Sequence, residues 1–262
     1  MIRVIFNRKG GVGKSTLTCN LAAAAAKAGK KTLIVDLDPQ GNTTSYLGHS
    51  SKDDVVGISE YFESTIAYRY RDFAPIDFVR ETGFENLHLV SANVALIDLE
   101  TKLEAKHKIY KLKDFLAKLA QEFDEIWLDT PPDLNFYTLS ALIAADRVLV
   151  PFDCDAFSRD ALFDLMESIA EIREDHNDGL EIEGIVINQF QERARLPGAA
   201  VEELKNAGLK VLSPYISSSV IIRESHQNRT PLVFMQASHK VAKQFEALYA
   251  SLSRKRRGKK AA

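Results

Sequence analysis

Residues 9–16 read Lys9-Gly10-Gly11-Val12-Gly13-Lys14-Ser15-Thr16. This stretch follows an apolar run from Ile2 to Phe6 and precedes an alanine-rich run from Leu17 to Ala28. The order strand, glycine-rich loop and helix is the setting of a phosphate-binding loop. Glycines let the backbone N–H groups turn inward around an anion, and the N-terminus of the following helix adds a positive dipole end. The stretch therefore predicts a site for a phosphate group.

Two side chains of this loop carry the expected chemistry. Lys14 would reach the β- and γ-phosphates of a nucleotide, and the Ser15 hydroxyl would ligate Mg²⁺. The usual spacing G-x-x-x-x-G-K-[ST] has glycine where this chain has Arg8, and a second lysine, Lys9, lies just inside the loop. The alternative is a glycine-rich turn with two solvated lysines, but eight matching positions after a strand-like run favour the phosphate loop.

The pattern K-G-G-x-G-K-[ST] resembles the deviant Walker A motif of the ParA/MinD family of ATPases, most closely the small ParA-type members. The resemblance implies ATP and Mg²⁺ as cofactors and a homodimer that encloses two ATP molecules. It also implies that Lys9 reaches the nucleotide of the partner subunit. The implied nucleotide contacts span the whole motif, namely Lys9, Gly10, Gly11, Val12, Gly13, Lys14, Ser15 and Thr16.

The order of elements predicts the fold class. The short apolar run Thr32–Val35 suits a buried parallel strand, and strand-helix-strand order implies a right-handed crossover. We therefore expect an α/β fold with a doubly wound, mostly parallel sheet flanked by helices. The other predicted strands are Leu87–Val90, Glu125–Asp129, Arg147–Phe152, Gly184–Asn188 and Lys210–Leu212. The other predicted helices are Val55–Phe62, one or two within Asp98–Phe123, Phe136–Ala145, Phe157–Ile172, Ala199–Ala207 and Ser238–Leu252. One domain over 1–253 and a disordered basic tail over 254–262 are predicted.

Acidic residues follow two of these strands. The segment Asp36-Leu37-Asp38-Pro39-Gln40-Gly41-Asn42 lies where parallel strands form a ligand crevice at their carboxyl ends. Two aspartates there would repel a nucleotide unless Mg²⁺ or water lay between. The segment resembles D-x-D-P-Q-G-N of the ParA family, which implies that Asp38 orients or activates the attacking water and that Asp36 lies near the metal. The alternative is a pair of loop carboxylates that stabilise a turn.

A second acidic strand end and two later residues complete the candidate site. The strand Glu125–Asp129 ends in an acid, as a Walker B element does, and the Asp-Thr-Pro-Pro sequence from Asp129 resembles the family's switch II segment. Asp129 is therefore expected at the metal, with helix capping as the alternative. The resemblance places Asn188 near adenine, although a strand-end asparagine could simply cap a turn, and places Pro214 where the adenine pocket closes.

Composition excludes several classes of protein. The chain has 262 residues, of which 45% are hydrophobic, and no apolar run approaches the ~18 residues of a membrane span. It begins directly with a predicted core strand, so we expect no signal peptide. Cys19 and Cys154 lie far apart without metal-ligand spacing, which fits a reducing, cytoplasmic location.

The net charge of −2 conceals an asymmetry, because residues 1–188 carry −11 and residues 189–262 carry +9. This basic third indicates a polyanionic partner, either nucleic acid or an anionic membrane, or else a merely solvated face. Ser217–Ser225 partly resembles a segment that ParA-like proteins place near DNA, and Tyr68–Arg71 alternates aromatic and basic residues that could stack on nucleic acid or pack as a loop. The DNA-binding candidates are Arg193, Arg195, Arg223, Arg229, Lys240 and Lys243, with the tail as a further source of phosphate attraction.

Three functions compete at this stage. A ParA-type ATPase would dimerise with ATP, bind DNA non-specifically on the nucleoid, and hydrolyse ATP slowly when a ParB-like or other adaptor stimulates it. It would segregate or position a plasmid, a chromosome region or a protein cargo. A MinD-like membrane ATPase would need an amphipathic C-terminal helix, but only bases, alanines and a glycine occur beyond Ser253, so no membrane partner is expected. A relative of the nitrogenase iron protein would need cluster-ligating cysteines, which Cys19 and Cys154 do not supply.

Overall fold

The computed structural model describes residues 1–49, 56–67, 73–154, 159–191 and 195–253. Seven strands form one sheet in the order β3-β4-β2-β5-β1-β6-β7. Every neighbouring pair is parallel except β3 with β4, which is antiparallel. The strands are β1 (Ile2–Ile5), β2 (Thr32–Asp36), β3 (Arg80–Glu81), β4 (Leu87–Val90), β5 (Glu125–Asp129), β6 (Arg147–Asp153) and β7 (Glu181–Asn188). The predicted doubly wound α/β fold is confirmed.

Helices cover both faces of the sheet, and a short 3-10 helix spans Pro75–Phe78. The α-helices are α1 (Lys14–Lys27), α2 (Asn42–Tyr46), α3 (Ile58–Ile66), α4 (Ala95–Ala105), α5 (Lys111–Leu119), α6 (Phe136–Ala144), α7 (Arg159–Asp175), α8 (Arg195–Asn206), α9 (Val220–Gln227), α10 (Leu232–Met235) and α11 (Lys240–Ser253). Among the described residues, none of these helices is both long and apolar enough to cross a membrane.

The two apolar clusters of the core lie on opposite faces of the sheet, because successive side chains of a strand point to opposite sides. Val4 and Leu33 belong to the cluster that includes side chains from α3 to α8. Ile5 and Ile34 belong to the cluster that includes α1, α2 and α9 to α11. The central strands β2 and β5 are buried at every residue, so their interiors are apolar on both faces.

Two predicted elements differ from the structure. Lys210–Leu212 is not a strand of the sheet, since only Val211 forms an isolated bridge, to Ile185. Pro214 follows closely and has no N–H with which to extend this pairing. The helix predicted over Val55–Phe62 instead runs from Ile58 to Ile66, with the Gly57 N–H donating to the Glu60 carboxylate at 2.6 Å. Several expectations lie outside the described residues, namely those for Val55, Tyr68–Arg71, Phe157, Arg193 and the tail 254–262.

Candidate functional site

The glycine-rich loop turns from β1 into α1 at the carboxyl edge of the sheet. Gly11 and Gly13 have φ angles of 78° and 86°, in the left-handed region that side chains disfavour. A Cβ at Gly13 would also lie 2.3 Å from Nδ2 of Asn188, far inside van der Waals contact. Glycine at this position is therefore required by the backbone conformation and by the close approach of β7.

Three side chains at the ends of β1 and β7 hold the loop in place. Nδ2 of Asn7 donates to the Pro151 carbonyl at 2.7 Å, and its Oδ1 accepts from the Lys9 N–H at 2.8 Å. Nδ2 of Asn188 donates to the Val12 carbonyl at 2.8 Å, and Nε2 of Gln189 donates to the Gly11 carbonyl at 2.9 Å. Asn7 and Gln189 are not among the residues predicted from the sequence, because neither belongs to the glycine motif and each bonds a residue distant in sequence.

Lys14 is buried against the loop that it follows. Its ammonium donates to the carbonyls of Asn7 at 3.1 Å and Lys9 at 3.2 Å. Burial lowers the pKa of Lys14, while the charges of Asp129 and Asp38 act in the opposite direction. The ammonium is thus held beside both acidic segments by contacts that an anion within the loop could replace.

Asp129 ends β5 among hydroxyl groups. Its Oδ2 accepts from the Thr43 hydroxyl at 2.7 Å and its Oδ1 from the Thr18 hydroxyl at 3.4 Å. Burial raises the pKa of Asp129 to about 6, although hydrogen bonds from Ser15 and Thr43 oppose that shift. The carboxylate therefore lies at the start of α1, next to the hydroxyl expected to bind the metal.

Asp36 pairs in register with Asp129 on the neighbouring strand. Its Oδ2 accepts from the N–H and the hydroxyl of Thr44, both at 2.8 Å, and its Oδ1 accepts from the Asp38 N–H at 3.1 Å. Burial raises the pKa of Asp36 well above its usual range, and the charge of Asp129 raises it further. These contacts make Asp36 an anchor of the loop from β2 to α2, and its position near a metal remains a prediction.

Asp38 lies in a tight turn just beyond Asp36. Its Oδ1 accepts from the Gln40 N–H at 2.9 Å, and its carbonyl accepts from the Gly41 N–H at 2.9 Å. Its charge acts on Lys14, so the turn faces the phosphate loop. The structure thus brings Asp38, Asp129, Lys14 and Ser15 to one edge of the sheet.

The site fits a nucleotide with a divalent cation. Oδ1 of Asn188 is buried and has no hydrogen-bond partner among the described residues. This oxygen can therefore accept a hydrogen bond from a ligand bound at the loop. Asp36 and Asp129 are two fully buried carboxylates on adjacent strands, and a cation beside them would relieve their repulsion. Inward N–H groups, a lysine, a hydroxyl and a carboxylate are the donor set that a polyphosphate with Mg²⁺ uses.

The other candidates lie farther out. Lys9 is exposed, and Pro214 lines a separate cavity of about 510 Å³ with Lys240 and Lys243. The assignment of Pro214 to an adenine pocket remains a prediction. The basic candidates Arg223, Arg229, Lys240 and Lys243 are exposed, and Arg195 begins α8, although its side chain is outside the described residues.

The burial of Asp129 predicts how stability depends on pH. Its pKa rises from 3.8 to about 6 on folding, so its favourable contribution is full below pH 4 and is lost as pH rises through 6. Asp129→Asn removes this titration and keeps an oxygen for Thr43. Without Mg²⁺ and nucleotide, we expect the variant to gain on the wild type as pH rises, by about 3 kcal/mol at pH 7.

Urea unfolding at pH 4.5, 5.5 and 7 measures this difference. Asp178→Asn, at an exposed position on the surface, is the matched control and should follow the wild type at each pH. A free-energy difference between Asp129→Asn and wild type that stays constant with pH would contradict the burial argument.

Comparison with known proteins places this geometry in a family. The AAA domain family model matches residues 1–182. The chromosome partitioning protein ParA of Myxococcus xanthus is 34% identical over 254 residues, which cover 96% of this chain and 87% of that protein. The sporulation initiation inhibitor protein Soj of Bacillus subtilis is 32% identical over 234 residues, covering 88% and 90% respectively. The structure of cobyrinic acid a,c-diamide synthase from Mycobacterium smegmatis, with bound ATP analog and magnesium, superposes with a TM-score of 0.82 at 27% identity, covering 96% of this chain and 93% of that one.

Proposed function

This chain belongs to the ParA/MinD family of ATPases, and from that premise we propose that it is a Mg²⁺-dependent ParA-type ATPase whose ATP-bound dimer binds DNA. One observation carries the ATPase proposal, namely the convergence of Lys14 and Ser15 with Asp38 and Asp129 around the glycine loop. This set can bind a triphosphate, hold its metal and orient a water molecule.

Each side chain has a distinct part in the proposed hydrolysis. Lys14 binds the terminal phosphates, and Ser15 with Asp129 holds Mg²⁺, which supplies positive charge to the phosphate oxygens when it is bound. Asp38 lies in the turn beside Lys14 and orients the attacking water. Oδ1 of Asn188, which no described residue pairs, can accept a hydrogen bond from the amino group of adenine, which supports ATP as the nucleotide.

Lys9 supports the proposed dimer because it is exposed within the loop, where a second subunit could present its nucleotide. A lysine that acts across an interface is needed only when two subunits face each other. In an Asp38→Ala background, which should hold ATP without turnover, Lys9→Ala should keep ATP affinity within about threefold and lose the ATP-dependent dimer. Sedimentation velocity with and without ATP measures the loss.

Lys113→Ala is the control for this experiment, because Lys113 is an exposed lysine on α5 and belongs to no part of the loop. It should dimerise as the parent does. A dimer that persists unchanged after Lys9 is removed would count against a lysine acting in trans.

The basic residues of α9 and α11 support DNA as the polyanion. Gln244 on α11 accepts from the Ser217 N–H at 3.0 Å and donates to its hydroxyl at 2.9 Å, so the segment that leads into α9 is fixed against α11. The exposed Arg223 and Lys240 belong to these two joined elements. A surface of this kind contacts phosphates without reading bases, so the binding is proposed to be independent of sequence.

The test of the proposed function compares DNA with an anionic membrane. Purified protein is mixed with duplex DNA, or with phosphatidylserine liposomes, in the presence of ATP, ADP or no nucleotide. DNA binding that requires ATP supports the proposal. ATP-loaded protein that fails to bind DNA at low salt would overturn the proposed DNA binding. A preference for liposomes over DNA would favour the MinD-like membrane alternative instead.

The biological role follows from cycling between these states. We propose that hydrolysis is slow alone and stimulated by a ParB-like or other adaptor, which releases the protein from the nucleoid. Such a cycle would segregate or position a plasmid, a chromosome region or a protein cargo. The relatives ParA and Soj, both from bacteria, carry names that refer to chromosome partitioning and sporulation.

A further inference from the structure

A polar contact links the phosphate loop directly to α9. The hydroxyl of Thr16, in the first turn of α1, lies 2.9 Å from Nε2 of His226 near the end of α9. Thr16 is the last residue of the glycine motif and follows Ser15. The two bonded residues are 210 positions apart in sequence, so the contact joins the nucleotide site to a distant surface element.

Tyr46 makes the second link to α9. Its ring stacks on His226 with centroids 3.8 Å apart and an interplanar angle of 18°. Its hydroxyl lies 2.6 Å from the Ser225 hydroxyl, which itself donates to the Ile222 carbonyl at 2.8 Å. Since the Ser225 proton is used in that bond, the Tyr46 hydroxyl is the donor to Ser225.

The same hydroxyl also ties Tyr46 to α1. Nδ2 of Asn20 donates to the Tyr46 oxygen at 3.1 Å and to the Thr16 carbonyl at 2.9 Å. Oδ1 of Asn20 accepts from the Leu232 N–H at 2.7 Å, which fixes the start of α10. Asn20 therefore has all of its hydrogen-bonding groups engaged, and α1, α2, α9 and α10 meet in one buried network.

Tyr46 lies on the element that contacts the acidic side chains of the site. It is the last residue of α2, and that helix also contains Thr43 and Thr44, which bond Asp129 and Asp36. A ligand that draws Asp129 toward a cation competes with the Thr43 bond. Both contacts to α9, from Thr16 and from Tyr46, thus begin on elements that border the nucleotide.

α9 itself has few other anchors. It has eight residues, and only Ile221 and Ser225 among them are buried. Burial lowers the pKa of His226, which favours its neutral ring. That ring stacks on Tyr46, and its Nε2 forms a hydrogen bond with the Thr16 hydroxyl. A short helix with two buried side chains depends strongly on such polar contacts for its placement. Arg223, one turn before His226, is exposed and belongs to the same helix.

We propose that His226 and Tyr46 are positioning residues that couple the nucleotide site to α9 within each subunit. They set the placement of Arg223, and so the affinity of the ATP-bound dimer for duplex DNA. The inference rests on the proposed DNA-binding function and adds to it, because pairing of subunits alone would double the basic surface without altering its geometry. Coupling of this kind requires that the contacts of His226 and Tyr46 with the nucleotide site differ between the two nucleotide states.

The test separates DNA affinity from dimer formation. In the Asp38→Ala background with saturating ATP and Mg²⁺, sedimentation measures the dimer, and fluorescence anisotropy measures binding to two unrelated DNA duplexes. His226→Ala should leave ATP affinity and the dimer within about twofold and weaken DNA binding by about tenfold. Tyr46→Phe keeps the stacked ring and loses the bond to Ser225, so a smaller loss of about threefold is expected.

Rescue and control variants separate positioning from general damage. In His226→Gln the side-chain amide can still bond the Thr16 hydroxyl, so it should recover most of the lost DNA affinity. His176→Ala, at an exposed position after α7, should match the parent protein. If His226→Ala does not fold, as judged by its melting curve, the DNA affinity of Tyr46→Phe alone decides the proposal.

The outcomes distinguish the inference from its premise. A parent protein that fails to bind DNA with ATP would overturn the proposed function. A parent that binds DNA, together with foldable His226 and Tyr46 variants that bind it equally well, would overturn only the coupling. Loss of the ATP dimer in parallel with loss of DNA binding would also overturn the coupling, because the contacts of His226 and Tyr46 would then support dimer formation.

Discussion

Asp38→Ala should bind ATP with near-normal affinity and hydrolyse it at least 100-fold more slowly than the wild type. Asp38 is placed beside Lys14 by a turn, and its proposed role is confined to the attacking water. Positioned acid–base groups contribute about 10²–10⁴ in rate. Removing one therefore lowers the turnover rate without removing the phosphate contacts that determine affinity.

Asp38→Asn tests whether the turn or the chemistry matters. An asparagine oxygen can still accept from the Gln40 N–H, which Asp38 accepts at 2.9 Å, so the turn is preserved. The amide is a far weaker proton acceptor, and the variant should be almost as slow as Asp38→Ala. Phosphate release under single-turnover conditions measures the rate, and equilibrium titration with a fluorescent ATP analogue measures the affinity.

Two further variants serve as comparisons for the Asp38 variants. Asp133→Ala removes another acid whose charge acts on Lys14 but which has no assigned role, and it should retain most of the activity. Lys14→Ala should lose nucleotide binding itself. Wild-type rates in Asp38→Asn would show that water activation belongs to another group, and wild-type rates in Asp38→Ala would remove Asp38 from the reaction entirely.

The local parts of the site could be predicted from the sequence because they are encoded in contiguous residues. Asp36 and Asp129 end apolar strands, and the glycine motif and Asp38 lie within a few residues after one. Parallel strands bring their carboxyl ends to one edge of the sheet. The fold class follows from alternating strands and helices, whereas the strand order β3-β4-β2-β5-β1-β6-β7 was not predicted from the sequence. For these elements, propensity and hydrophobic pattern agree with the tertiary fold.

The tertiary parts of the site have no such local signal. Asn7, Gln189, Thr43 and His226 hydrogen-bond to residues distant in sequence, and Thr44 bonds Asp36, eight positions away, and the Ala92 N–H. No local sequence pattern distinguishes these residues from surface polar residues. α9 was missed as a helix because Val220, Ile221 and Ile222 are β-branched and favour a strand locally. Its helical form depends on packing against Tyr46 and α10, which the sequence pattern does not encode.

DNA binding by the ATP-loaded dimer should weaken about a thousandfold between 50 and 200 mM salt. Three phosphate contacts per subunit would give about six in the dimer, and each adds about 0.9 to the slope of log affinity against log salt. The exposed candidates are sufficient for that number, namely Arg223, Arg229, Lys240 and Lys243. A monomer with half of the contacts would bind weakly at every salt concentration.

Charge reversal assigns this slope to particular residues. Arg223→Glu and Arg229→Glu should each reduce the slope by about two, since one contact is lost in each subunit, and weaken binding at least tenfold at 100 mM salt. The loss should be equal on unrelated DNA sequences because phosphates carry no base information. Lys113→Glu makes the same charge change on α5 and should leave the slope unchanged.

The salt slope also distinguishes two origins of ATP-dependent DNA binding, namely dimerisation of the subunits and placement of α9 by the nucleotide. If ATP acts only by joining two subunits, the slope of the dimer should be twice that of the monomer, and Arg223→Glu should remove one contact per subunit in each form, two from the dimer and one from the monomer. If α9 is placed by the nucleotide, Arg223→Glu should reduce the slope of the ATP dimer and leave that of the nucleotide-free monomer nearly unchanged. A DNA affinity that does not vary with salt would exclude both explanations, because the basic surface would then not be the binding surface.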